Sequence, residues 1–102
     1  MKRALLLDGA DNVATALEDI QAGEIALVRI SNQSREVRVI ADIPFGHKFA
    51  VRRIPKDGDV IKYGEVIGRA TRDIEVGDWV HVHNVVSNRG RGDLLKGEGG
   101  GR

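Results

Sequence analysis

The sequence predicts a small, mainly β domain of short twisted strands with one short helix near its N-terminus. Apolar residues alternate over short segments, as in "EIALVRI" at residues 24–30, which is typical of half-buried strands. Turn residues recur about every eight to twelve positions, the spacing of compact all-β folds. The length of 102 residues and the hydrophobic content of 41% are enough for one core.

Several strands are predicted in chain order. The first is "RALLLD", residues 3–8, and the turn residues "DGADN" follow it. Residues 24–30 and 35–43 form the next two strands, which "SNQS" joins as a hairpin turn. The pattern resumes in "HKFAVRRI", residues 47–54, and further short strands follow "KDGDVI" and "EVGDWV". These last two segments resemble each other and form a weak internal repeat of a Gly-Asp turn.

One helix is predicted among these strands. It has about three turns and ends at Gly23. Asp11 or Asn12 can cap it, because a short side-chain oxygen accepts hydrogen bonds from the free N–H groups of a first turn. The residues that follow recur at helical spacing: Val13, Ala14, Leu17 and Ile20. A helix N-terminus can also bind an anion, in which case Asp11 and Asn12 point toward the same site.

The composition of the chain excludes several classes of protein and of site. The absence of cysteine excludes disulfides and thiolate metal sites and suits a cytoplasmic protein. The apolar run after Lys2 and Arg3 is too short for a signal peptide or a membrane helix. A net charge of +1 gives no reason to expect a nucleic-acid partner. A local excess of positive charge could attract an anion or form a solvated face: Lys48, Arg52, Arg53 and Lys56.

Two of the three histidines lie in "WVHVHN". In a strand, His81 and His83 would share one face, with Val80 and Val82 turned toward the core. This geometry suits two metal ligands or two exposed histidines on a strand. A buried Asn84 would need partners for its amide, so we expect the strand to end near it.

The third histidine follows an irregular turn in "IPFGHKFA". Such a turn can place His47 at a cleft as a general acid or base. Lys48 beside it can bind a carboxylate, or act as a base if it is desolvated. The alternative is a turn that carries two solvated polar residues.

The composition changes at Ser87. The last segment, "SNRGRGDLLKGEGGGR", holds six of the 13 glycines. We therefore predict a folded domain over residues 1–86 and a flexible Gly/Arg-rich tail over residues 87–102. The "RGRG" arginines could alternatively touch RNA or phosphate.

The blocks "GHK", "KYGEVIG" and "VHVHN" occur in an order that resembles the N-terminal SAF domain of the altronate/galactarate dehydratases. The resemblance covers residues 11–84 and implies a β-clip fold. In that family the SAF domain precedes a larger catalytic domain, and the enzymes dehydrate sugar acids with a divalent metal, usually iron. The related sulfolactate sulfo-lyase separates the two parts into a small and a large chain.

The resemblance implies that this chain is the small subunit of a metal-dependent dehydratase or lyase for a sugar acid or hydroxy acid, inactive alone and completed by a larger catalytic subunit. The implied reaction is a β-elimination. The resemblance does not say which residue is the base and which is a ligand. The catalytic residues that it implies are His47, Lys48, His81 and His83. The candidate substrate-binding residues are Asp11, Asn12, Arg52 and Asn84. The divalent metal, iron by resemblance, would be bound with the help of the partner.

Two other functions fit the sequence. SAF-like domains also serve as non-catalytic modules for sugar-acid binding or assembly. The rhythm of "GDVIKYGEVIG" also resembles a lipoyl or biotinyl carrier modified on Lys62, although Tyr63 follows that lysine. An adduct on Lys62 in the intact mass would identify a carrier. The sequence leaves open whether copies of the chain associate with one another.

Overall fold

The computed structural model describes residues 1–88, and these residues form two β-sheets. The predicted mainly β class is confirmed. The strands are β1 (Lys2–Leu5), β2 (Val13–Ala16), β3 (Ile25–Ile30), β4 (Gln33–Arg38), β5 (Lys48–Ala50), β6 (Asp59–Lys62), β7 (Glu65–Ala70), β8 (Trp79–Val80) and β9 (Val85–Ser87). Strand β9 reaches one residue beyond the predicted domain boundary at 86. The rest of the predicted tail, residues 89–102, lies outside the described residues.

The larger sheet has the strand order β4-β3-β1-β2-β5-β8, and the smaller sheet has the order β6-β7-β9. Strands β1 and β3 run parallel, while every other pair in these sheets is antiparallel. The predicted hairpin between the second and third predicted strands is confirmed. Ile30 pairs with Gln33, which leaves Ser31 and Asn32 as a two-residue turn. Ser31 has a positive φ of 52°, as such turns require.

The predicted N-terminal helix is wrong, because Val13–Ala16 is a strand between β1 and β5. Its residues Val13, Ala14 and Ala16 are all buried, so the segment lacks the alternation that marks a half-buried strand. Asp11 therefore caps no helix, and the helix N-terminus proposed as an anion site does not exist. No helix in the described part of the chain is long and apolar enough to cross a membrane.

Four similar turns connect the elements, of which the sequence pattern revealed two. Each turn begins at a buried isoleucine. The backbone carbonyl of the next residue accepts a hydrogen bond from the N–H of the residue three positions beyond that carbonyl. The isoleucines are Ile20, Ile43, Ile54 and Ile74. The third residue after each has positive φ: Gly23 (93°), Gly46 (84°), Asp57 (71°) and Gly77 (90°). The segment assigned to the end of the helix is thus the first copy of this turn.

The turns associate in pairs through backbone bridges between Ile20 and Ile43 and between Ile54 and Ile74. In the first pair, the carboxylate before each isoleucine caps the other turn. Asp19 accepts from the Phe45 N–H at 2.8 Å, and Asp42 accepts from the Ala22 N–H at 2.9 Å. This reciprocal arrangement fixes where each following strand begins, including β5.

Two apolar clusters fill the interior. The cluster under the larger sheet includes Phe49 and Val28, and the second cluster includes Ile54, Ile74 and Val80. Phe49 and Val80 are buried on the adjacent strands β5 and β8. This packing holds the short strand β8 against β5, and the candidate site lies at the ends of these two strands.

Candidate functional site

The pairing of β5 with β8 brings the "GHK" and "WVHVHN" segments together. Lys48 pairs with Val80, so His47, just before β5, lies beside His81, just after β8. The two imidazole centroids are 4.9 Å apart. Two of the implied catalytic residues, His47 and His81, therefore lie side by side.

Trp79 is the centre of this cluster, and sequence reasoning did not select it as a functional residue. Its indole Nε1–H donates to His47 Nδ1 at 3.2 Å. The His81 ring stacks on the indole at 5.1 Å with an interplanar angle of 10°, and the His83 ring lies 5.0 Å away. The available signal was that Trp79 alternates with both histidines in "WVHVH". The tryptophan thus orients all three imidazoles.

The "WVHVHN" segment is not one strand, which corrects the prediction. Strand β8 ends at Val80, a turn covers residues 81–84, and β9 begins at Val85. Val80 is buried as predicted, but Val82 is 81% exposed instead of facing the core. The histidines converge because the chain turns around Trp79, and their shared strand face plays no part.

Asn84 is the cause of this turn. Its side chain is buried, its Oδ1 accepts from the His81 N–H at 3.0 Å, and its Nδ2 donates to the Trp79 carbonyl at 2.8 Å. The expected need for amide partners is confirmed. Asn84 therefore holds the backbone on both sides of Val80 and fixes the position of His81.

A pocket of about 250 Å³ opens beside His81. Its lining residues are Lys48, Ile67, His81, Val82, Val85 and Ser87. None of these described lining residues is acidic, so Lys48 makes the pocket electropositive. A pocket with an apolar wall and one cation suits a small carboxylate or sulfonate ligand.

The environment alters the protonation of two groups here. Burial lowers the pKa of the Lys48 ammonium, and the positive charge of Lys62 lowers it further. The surrounding protein lowers the pKa of His81 through desolvation, and His47, Lys48 and His83 contribute in the same direction. His81 is therefore neutral near pH 7 and can accept a proton.

The histidine cluster does not form a metal centre of its own. Within residues 1–88, no group of three or more His, Asp or Glu side chains is arranged to hold a metal ion. Residues 1–88 therefore do not by themselves fit the divalent metal that the resemblance implies.

Asp11 and Asn12 face the β6–β7 hairpin and do not point into the histidine pocket. The buried Asp11 carboxylate accepts from the backbone N–H groups of Tyr63 at 3.1 Å and Gly64 at 2.8 Å. The Asn12 side chain accepts from the Ile61 N–H and donates to the Asp59 carbonyl, both at 2.8 Å. Both side chains thus fasten the hairpin to the start of β2.

Arg52 also lies away from the pocket, because its Nη2 donates to the Gly9 carbonyl at 3.2 Å. Arg53 is neutralised by Asp73 and Glu75, each at 3.1 Å. The predicted basic stretch is thus divided, and Lys48 is its member in the pocket. Substrate binding stays a prediction for the four residues proposed for it: Asp11, Asn12, Arg52 and Asn84.

Known proteins match most of this chain. The model of the altronate/galactarate dehydratase SAF domain matches residues 2–88. The chain is 40% identical over 88 residues to altronate dehydratase of Bacillus subtilis, covering 86% of this chain and 17% of that protein. It is 46% identical over 78 residues to altronate dehydratase of Escherichia coli, covering 76% and 15%. These matches thus span less than a fifth of either dehydratase.

A small protein matches over almost its whole length. The chain is 39% identical over 85 residues to (2R)-sulfolactate sulfo-lyase subunit alpha of Chromohalobacter salexigens. That match covers 80% of this chain and 90% of the subunit.

Proposed function

Because this chain belongs to the altronate/galactarate dehydratase SAF domain family, we propose that it is the small component of a lyase for a sugar acid or related hydroxy acid. A larger catalytic chain would complete the site. The pocket in which Lys48 lies beside His81 carries the proposal, because it combines a cation with a neutral base. The name of the sulfo-lyase relative, subunit alpha, supports assembly with a second chain.

The proposed reaction is a β-elimination. A base removes the proton from the carbon next to the carboxylate, and that C–H electron pair forms the new double bond. The hydroxyl or sulfonate on the neighbouring carbon leaves with its own bonding pair, and the resulting enol tautomerises to a 2-keto acid. Negative charge develops on the carboxylate side during proton removal, so a fixed cation there lowers the barrier.

The pocket residues suit separate roles. Lys48 binds the substrate carboxylate and stabilises the charge that develops on it. His81 is the candidate base, since its lowered pKa keeps the ring neutral. His47 accepts the Trp79 hydrogen bond at Nδ1, so its neutral ring carries its proton on Nε2. It is therefore the candidate hydrogen-bond donor to the leaving group. The His83 ring lies 5.0 Å from Trp79, and we assign it no separate role.

We further propose that the divalent metal implied by the resemblance belongs to the larger chain. The donor groups among residues 1–88 do not form a metal site. The roles of Lys48, His81 and His47 given above require no metal ligand from this chain.

The test is to purify the tagged full chain from its host, identify any larger chain bound to it, and assay the complex for 2-keto acid release from a panel of hydroxy acids. We expect turnover by the complex and none by the chain alone. Lys48→Met should lower kcat/KM by about 10²-fold or more, the scale of a lost electrostatic contact in a transition state. Lys56→Met replaces an exposed lysine in the turn after Ile54 and is the matched control.

Full activity of the Lys48→Met complex would contradict the proposed site. Turnover by the isolated 102-residue chain would contradict the need for a partner. If the larger chain is equally active with and without this chain, the alternative of a non-catalytic binding or assembly module is favoured.

A further inference from the structure

The turn between β6 and β7 contains an aromatic residue in an unfavourable backbone conformation. Lys62 pairs with Glu65, and the two residues between them have positive φ: Tyr63 (59°) and Gly64 (73°). This is the pattern of a type I′ hairpin turn, which prefers Asn-Gly or Gly-Gly. A bulky side chain seldom adopts the left-handed region that Tyr63 occupies.

Asp11 compensates for this conformation. Its buried carboxylate accepts from the N–H groups of both turn residues, Tyr63 and Gly64. Charge-assisted hydrogen bonds of this kind are stronger than neutral ones and hold the turn in one geometry. Asn12 fixes the preceding strand through Ile61.

The Tyr63 side chain contributes little to the core in return. The Tyr63 side chain is 64% exposed. Within residues 1–88, its ring lies against the ammonium of the neighbouring Lys62, which is 5.2 Å from the ring centroid. Strained backbone that brings no packing gain is a sign of functional use. A tyrosine that is already held rigid also loses little entropy when it enters a complex.

We propose that Tyr63 and Lys62 form a contact surface for the larger catalytic chain, and that Asp11 is the positioning residue that presents it. This inference rests on the proposed function. Tyrosine is enriched at the centres of protein interfaces, where its ring is buried and its hydroxyl hydrogen-bonded. The contacted surface would offer an apolar slot for the ring.

Charge indicates the character of that surface. The ion pairs among residues 1–88 involve neither Lys62 nor Lys48. Ile67 of β7 lines the pocket together with Lys48, so the β6–β7 hairpin borders the pocket. The larger chain should therefore present acidic groups next to its apolar slot.

The test is Tyr63→Asn in the full chain. Because Asn-Gly is a preferred type I′ sequence, Tm should equal or exceed that of the wild type. The affinity for the copurified larger chain should fall at least ten-fold. Ser31→Asn makes the same kind of change in the β3–β4 turn and should leave this affinity unchanged.

The positioning role of Asp11 requires a double-mutant cycle. Asp11→Asn should lower Tm in both backgrounds, because it removes an acceptor from the turn. It should weaken the affinity of the wild type for the larger chain but not weaken the affinity of Tyr63→Asn further. An equal loss of affinity in both backgrounds would show that Asp11 does not act through Tyr63.

A lower Tm for Tyr63→Asn would show that Tyr63 is a structural residue and would overturn the inference. An unchanged affinity of Tyr63→Asn would overturn it while leaving the proposed function intact. If the wild-type chain captures no larger chain, the proposed function falls, and this inference falls with it.

Discussion

His47 and His81 lie with their ring centroids 4.9 Å apart, although one precedes strand β5 and the other follows strand β8. Their proximity depends on the register in which Lys48 pairs with Val80. Trp79 binds one imidazole through its N–H and stacks on the other. A strand of two residues therefore determines whether the candidate base and the candidate hydrogen-bond donor to the leaving group can act on one substrate.

The first prediction concerns pH dependence. The lowered pKa of His81 means that its neutral form persists to lower pH than for an ordinary histidine. We expect kcat/KM of the assembled enzyme to fall on the acidic side with an apparent pKa below about 6.5, the ordinary histidine value. His81→Ala should lower kcat about 10²-fold and remove this limb. Persistence of the same limb in His81→Ala would assign it to another group.

The second prediction concerns Lys48 and stability. Because burial lowers the pKa of Lys48 in the folded state, the unfolded chain binds more protons between that pKa and about 10.4. The contribution of this group to stability therefore rises with pH across that interval. Lys48→Met should raise Tm relative to the wild type near pH 7, and the difference should shrink toward pH 10. Thermal unfolding of both proteins across this pH range measures the difference in Tm. A difference that grows with pH would contradict the claim that burial lowers the pKa of Lys48.

The third prediction compares two valines of one segment. Val80 is fully buried and Val82 is 81% exposed. Val80→Ala should lower the free energy of unfolding by about 1–3 kcal/mol, and Val82→Ala by less than about 0.5 kcal/mol. Urea unfolding of both variants decides the matter. Equal losses would mean that Val82 also faces the core, as the alternating pattern predicted.

The fourth prediction concerns the amide that shapes the turn after β8. Asn84→Ala leaves the His81 N–H and the Trp79 carbonyl without their partner, so we expect a loss of about 1–3 kcal/mol. Turnover of the assembled enzyme should fall as well, because His81 loses its fixed position. Gln33→Ala, on an exposed edge strand, is the control and should stay within about 0.5 kcal/mol. If Asn84→Ala is as stable as the wild type but its NMR spectrum shows displaced histidines, the stabilising role of Asn84 is contradicted while its positioning role stands.

Local pattern was sufficient for part of this structure. Alternation and turn chemistry predicted the mainly β class and the β3–β4 hairpin, because pairing across a two-residue turn depends on neighbouring residues. The grouping of His47, Lys48, His81 and His83 came from the resemblance of their motifs. The fold places the three histidines around Trp79, and Lys48 and His81 line a pocket.

Contacts between distant segments decided the rest. Val13–Ala16 has helical spacing but becomes a strand, because β1 and β5 supply hydrogen-bond partners on both sides. Asp11 looked like a helix cap, yet its carboxylate binds a turn that lies far along the chain. Val82 followed the alternation of a strand, but Asn84 ends that strand at Val80. Periodicity reports only what neighbouring residues prefer, whereas buried polar groups take whichever partner the whole fold brings within reach.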